Sequence, residues 1–141
     1  MSPRFGKEEG MRSGKEEGSG YYEPRDWYPY DKAMELLEGK GLGGIYWIRI
    51  ARGTVHYRKE ESPVIYIGAS ETNIRRRLKA HLEKRDERGV CIMEQAPPSE
   101  LEVGCEIILD RGSVRSREQA LLGAFQDQYG ELPKCNSLQL R

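Results

Sequence analysis

Gly44-Ile45-Tyr46-Trp47-Ile48-Arg49-Ile50 and Val64-Ile65-Tyr66-Ile67-Gly68-Ala69-Ser70 are the two stretches on which the reading of this chain turns. In the first, Ile45, Trp47 and Ala51 fall on one side of an extended backbone, and Tyr46, Ile48 and Ile50 on the other. A period of two with apolar residues on both sides describes a strand covered on both faces. Val64-Ile65-Tyr66-Ile67 is a β-branched and aromatic run and predicts a second strand. The polar stretch from Gly53 to Pro63 predicts a connecting loop that makes the two antiparallel.

Helical periodicity flanks this pair. Asp31 is placed to cap a short helix through Met34, Leu36 and Leu37, which Gly39 and Gly41 end. After the second strand, Ser70 is the expected cap of an amphipathic helix of about 14 residues, in which Ile74, Leu78 and Leu82 recur on one face. Pro97-Pro98 marks a loop, and Leu101 to Leu109 predicts a third strand. Ser116 and Gln119 form the pattern of a capping box for a long helix through Leu121, Leu122, Phe125 and Tyr129, closed by Gly130 and Pro133. The expected fold is a small α+β domain, with a three-stranded, mainly antiparallel sheet flanked by helices.

A chain of 141 residues accommodates one domain. Residues 1–20 repeat Gly-Lys-Glu-Glu-Gly at 6–10 and 14–18 and carry little that could be buried, which predicts a disordered charged tail. Residues 21–42, with the aromatic run Tyr21 to Tyr30, are expected to pack on the domain formed by 43–141. Lys plus Arg and Asp plus Glu each total 23, so binding to a polyanion by bulk charge is excluded. Neutrality conceals an uneven distribution, since residues 75–88 hold seven basic against three acidic side chains. The three cysteines, Cys91, Cys105 and Cys135, fit neither a disulfide framework nor a paired zinc site and are expected as buried thiols. No apolar run is long enough for a membrane helix and the first residues lack a secretion signal, so a soluble, cytoplasmic protein is expected. Gly39-Lys40-Gly41-Leu42-Gly43-Gly44 fits the dinucleotide-binding glycine pattern only formally, because it follows a helix and precedes a strand, the reverse of the required order.

Gly44-Ile45-Tyr46 and Tyr66-Ile67-Gly68, on consecutive expected strands and followed by an arginine-rich helix, resemble the GIY-YIG nucleases. The resemblance extends over about two thirds of the chain. It places the key arginine at Arg77, with His81 one turn later. The family's glutamate matches Glu118, followed by Leu121, Leu122 and Phe125, and Pro133 with Asn136 closes the set. Two departures stand out. Ala69 occupies a position where many members carry lysine, and the interval from Glu118 to Pro133 is several residues longer than usual. Counted backwards from Asn136, the glutamate slot falls instead on Gly123 or Ala124.

The resemblance implies a metal-dependent DNA endonuclease that leaves 5′-phosphate and 3′-hydroxyl ends. Glu118 would be the oxygen ligand of one Mg²⁺ or Mn²⁺, a hard cation that keeps most of its waters. Arg77 would present a permanently charged fork to the phosphate. Tyr46 would act on the attacking water, Tyr66 would orient phosphate or water, His81 would hydrogen-bond a tyrosine or phosphate, and Asn136 would brace the site. Arg75, Arg76, Lys79, Lys84, Arg85 and Arg88 are candidates for phosphate-backbone contact with duplex or branched DNA. His56 and Tyr57 are expected at the surface. Oligomeric state stays open; a homodimer is one arrangement that cuts both strands, since a monomer with one site has to act twice. Two other classes remain alongside the enzyme: a catalytically inactive nucleic-acid-binding module with the same fold, and a protein-interaction module built on residues 21–30.

Overall fold

The computed structural model describes residues 20–137. Residues 1–19 and 138–141 lie outside it, and with them all but the last residue of the expected tail. In chain order the described elements are β1 (Tyr28–Pro29), α1 (Tyr30–Leu36), β2 (Gly44–Ile50), β3 (Val55–His56), β4 (Glu61–Ser62), β5 (Val64–Ser70), α2 (Ile74–Leu82), α3 (Glu87–Gln95), β6 (Leu101–Ile107) and α4 (Val114–Tyr129).

β2 is the central strand because it has an apolar side chain for both faces. It pairs antiparallel with β5 on one side and β6 on the other, and β1 adds to the far edge of β6, giving the order β1-β6-β2-β5. Cα partners across a sheet share a face, so the register sorts the core. Tyr46, Ile48 and Tyr66 face one side with Leu101, Val103, Cys105 and Ile107, covered by Tyr30, Ala33 and Leu37, by Ile74 and Leu78 of α2, and by Ile92 of α3. Ile45, Trp47, Ile67 and Ala69 face the other, under Val114, Leu121, Phe125 and Tyr129 of α4. The aromatic segment closes the second layer: the Tyr21 ring meets Phe125 edge-on at 5.2 Å and Tyr22 meets Trp47 at 6.2 Å.

The α+β architecture is as expected, but the sheet has four strands rather than three, and Val55–His56 pairs with Glu61–Ser62 inside the supposed loop. Two-residue strands carry no periodicity and leave no sequence signal. Tyr57 is core, not surface, with its hydroxyl donating to the Val64 carbonyl at 2.6 Å. The expected helix of about 14 residues is the nine-residue α2, and a second nine-residue helix, α3, follows where none was expected. Asn73, not Ser70, caps α2 by accepting from the Arg76 N–H, while the Ser70 hydroxyl accepts from the Asn73 N–H just before it. α3 starts with Asp86 accepting from the Gly89 N–H, and a Cβ on Gly89 would stand 2.8 Å from the His81 carbonyl oxygen. Only glycine lets α3 turn back this closely on the end of α2. α4 begins at Val114, ahead of the expected box; Ser116 instead donates to the Ser113 carbonyl.

The cysteine expectation is also corrected. Cys91 of α3 and Cys135 form a disulfide with Cα atoms 5.7 Å apart, leaving Cys105 as the buried thiol. No spacing rule could reveal it, because the pairing depends on how the segment after α4 lies along the free edge of β5, where the Cys135 N–H donates to the Ile65 carbonyl. With a sequence separation of 44, the bridge removes substantial freedom from the unfolded chain. Cys135→Ser, or reduction of the native chain, is expected to lower unfolding stability by about 2–4 kcal/mol in denaturant titrations. An unchanged midpoint under reducing conditions would show that the cysteines are not paired in solution.

Candidate active site

The site grows from the pairing of Tyr46 with Gly68 across β2 and β5. A Cβ built on Gly68 would lie 2.5 Å from both Cζ and the hydroxyl oxygen of Tyr46 and 2.6 Å from Cε2 of Tyr66. The Tyr46 phenol therefore lies across the backbone of Gly68, in space any other residue would fill. The two phenol rings are tilted with centroids 6.0 Å apart, and the His81 ring stands 5.9 Å from Tyr46 and 5.2 Å from Tyr66. The Tyr46 hydroxyl and His81 Nε2 are hydrogen-bonded at 2.8 Å.

Burial governs the protonation of this group. Desolvation, reinforced by Tyr66 and only partly offset by Arg77, holds the Tyr46 phenol well above its ordinary pKa. The same desolvation, with the charges of Arg77 and Arg88 outweighing Asp86, brings His81 down to about 4, so its ring is neutral at physiological pH. Arg77 reaches the group from α2. Burial works against its charge, but the oxygens of Tyr46 and Tyr66 more than compensate and hold its pKa above the ordinary value. Two buried nitrogens here, Arg77 Nε and His81 Nδ1, have no hydrogen-bond partner. Unsatisfied buried polar nitrogens in one cluster are uncommon and mark a place where a polar group would be welcome.

Four of the expected residues, Tyr46, Tyr66, Arg77 and His81, thus converge. A fifth member was expected only as one of the phosphate-backbone candidates: Arg88, in the first turn of α3, donates from Nη1 to the Tyr66 hydroxyl at 3.2 Å, with its guanidinium carbon 5.8 Å from the ring centroid. Nothing in its basic neighbourhood distinguishes it, because its place depends on how α3 folds back. Asn136 sits beside the group rather than in it. Its Oδ1 accepts from the Ile67 N–H and its Nδ2 donates to the Ile67 carbonyl, which pins β5 at the residue after Tyr66.

Glu118 stands apart. α4 covers the opposite face of the sheet, and among the described residues no hydrogen bond or ion pair connects Glu118 with the phenols, Arg77 or His81. Its carboxylate accepts from Arg115 Nη1 at 3.1 Å, and the same guanidinium lies 3.8 Å from Glu71, just beyond β5. Among the described residues there is no cluster of three or more His, Cys, Asp or Glu side chains able to hold a metal. A lone carboxylate still suits a cation that retains its waters, and Glu71 places a second oxygen donor beside the same guanidinium. The basic candidates do not form one face. Arg75 donates to the Met34 carbonyl and, with the exposed Arg76 and Lys79, lines one concavity; Lys84 and Arg85 line another beside Asp86, Glu87 and Glu94. Arg85 is further occupied by Glu83 at 2.7 Å.

Compared with known protein families, residues 42–130 match the GIY-YIG catalytic domain. No curated protein and no solved structure matches the chain. No helix among the described residues is long and apolar enough to cross a membrane.

Two outcomes follow from the geometry. Gly68→Ala is expected to cost about 1–3 kcal/mol of stability, since the phenols must shift to admit the methyl group; a variant as stable as the parent in urea would contradict the close approach. Histidine ring NMR across an acid titration should show His81 neutral down to about pH 4. A midpoint near 6.5 would mean that water reaches the ring.

Proposed function

We propose that this chain, which belongs to the GIY-YIG family, is a metal-dependent endonuclease hydrolysing DNA phosphodiester bonds at the Tyr46–Tyr66–Arg77–His81 cluster. The observation that carries the reading is the convergence of two phenols, a neutral imidazole and a guanidinium whose buried Nε is without a partner. A phosphate oxygen is the kind of acceptor that such a nitrogen lacks.

The raised pKa of Tyr46 makes it a poor base by itself, and its contact with His81 supplies the remedy. As a water attacks phosphorus, the Tyr46 oxygen takes the water's proton while the phenol's own proton passes to Nε2 of His81. The imidazole starts neutral, and the negative charge of a bound phosphate beside Arg77 and Arg88 would offset the cations that add to burial in holding its basicity down. Arg77 lies against both phenols and would hold the non-bridging oxygens as their charge grows, a role in which a preformed donor is worth about 10²–10³ in rate. Tyr66 orients the same phosphate, and the 3′-oxygen leaves and takes a proton from solvent to become the 3′-hydroxyl, while His81 returns its proton to solvent. A Mg²⁺ held by Glu118 would neutralise phosphate charge and activate water as a Lewis acid. To reach a cation, Glu118 has to release Arg115.

A second reading has its own support: Glu118 lies on the far face of the sheet, while Gly123, the other candidate for the glutamate slot, is exposed on α4 with open space around it. On that reading the chain binds nucleic acid without cutting it. Plasmid nicking in Mg²⁺ separates the two. The endonuclease reading expects metal-dependent nicking, lowered about 10²-fold or more by Arg77→Ala and abolished by Glu118→Ala. A parent inert on supercoiled, linear and branched DNA that becomes active as Gly123→Glu would establish the second reading.

A further inference from the structure

The strongest unused feature of the molecule is the second guanidinium at Tyr66. We propose that Arg88 is a catalytic residue that contacts the scissile phosphate together with Arg77, forming a two-arginine clamp specific for the extra negative charge of the transition state. This rests on the endonuclease reading above.

Arg88 and Arg77 come from different helices and meet on the same side chains. Arg77 acts on the oxygens of Tyr46 and Tyr66, and Arg88 donates to the Tyr66 oxygen at 3.2 Å. Both charges reach the His81 ring, which is 1% exposed and whose Nδ1 is without a partner. A buried, unsatisfied imidazole nitrogen within reach of two guanidinium charges is a place suited to an anion.

The position of Arg88 is tightly determined. Asp86 caps the helix one residue before Glu87, and Gly89 presses against the His81 backbone immediately after Arg88. One turn further on, Cys91 is tied to Cys135, whose neighbour Asn136 grips Ile67 beside Tyr66. Arg88 and its phenol are thereby attached to the same strand from both sides. A solvated arginine at the rim of a helix needs no such framework.

The charge balance gives the clamp its meaning. A phosphodiester carries one negative charge and needs one guanidinium; the pentavalent state formed by hydroxyl attack carries two. A second fixed cation therefore stabilises the transition state more than the bound substrate, and its loss should appear in kcat rather than KM. A residue that only supported the fold would change stability and KM together.

The test is single-turnover and steady-state nicking of supercoiled plasmid in Mg²⁺ by the parent, Arg88→Ala and Arg88→Lys, with melting curves for each. Arg88→Ala is expected to lower kcat about 10²-fold with KM changed less than about 3-fold, at unchanged melting temperature. Arg88→Lys should recover part of the loss, since it restores the charge but not the fork. An active parent whose Arg88→Ala variant keeps its kcat, or loses only affinity, would overturn the clamp alone. A parent that nicks nothing would overturn it together with the endonuclease reading.

Discussion

The close approach of the Tyr46 phenol to the backbone of Gly68 is the constraint from which the rest of the site follows. It requires the register that sets Tyr46 opposite Gly68, and it requires glycine at that position. Once the phenol lies there, Tyr66 two residues earlier faces the same layer, and the ring of His81 fits against both. α2 must then approach with Ile74, Leu78 and His81 inward, which delivers Arg77 to the margin of the phenols. The surrounding devices preserve this geometry: Asn136 on the Ile67 backbone, the disulfide between α3 and residue 135, and the glycine contact between α2 and α3.

The two layers divide the electrostatic work. On the phenol face the cations Arg77 and Arg88 outweigh Asp86, and burial keeps Tyr46 and His81 uncharged. On the α4 face the buried charge is a carboxylate, Glu106, 2% exposed, paired with Arg117 at 3.1 Å and accepting from the Tyr22 hydroxyl at 2.7 Å. Burial raises the Glu106 pKa while Tyr22 and Arg117 oppose that shift. This group holds the aromatic segment and α4 to β6, so its charges serve the packing of the fold. The zero net charge of the chain is the sum of these unlike parts.

Much of this was legible in the sequence because it depends on local periodicity. The two faces of β2, the strands at 64–70 and 101–107, and the αL glycine that ends α4 at Gly130 follow from side-chain alternation and backbone preference. The four residues that cluster, Tyr46, Tyr66, Arg77 and His81, could be picked out in the sequence because they sit at fixed offsets within those elements. What escaped was tertiary in origin. α3 reads Glu-Arg-Gly-Val-Cys-Ile-Met-Glu-Gln, with a glycine and β-branched residues that argue against a helix until packing compensates. The disulfide and the contact of Arg88 with Tyr66 exist only because α3 folds back, and the two-residue strands are too short for any pattern to mark them.

The position of Glu118 shows where fixed offsets cease to be sufficient. A motif gives order along the chain, but a metal site needs convergence in space. The phenols and Glu118 lie on opposite faces of a sheet whose edge strand is β5, and the free side of β5 is occupied by Cys135 and Asn136. The remaining way around is past the end of β5, over Ser70 and Glu71, where Arg115 spans Glu71 and Glu118. On the endonuclease reading, a phosphate held by Arg77 would approach that end from one face and the carboxylate from the other. The resting ion pair therefore stands at the junction between them. Whether a cation replaces the Arg115 guanidinium there is the physical event that separates a working nuclease from a module that only binds.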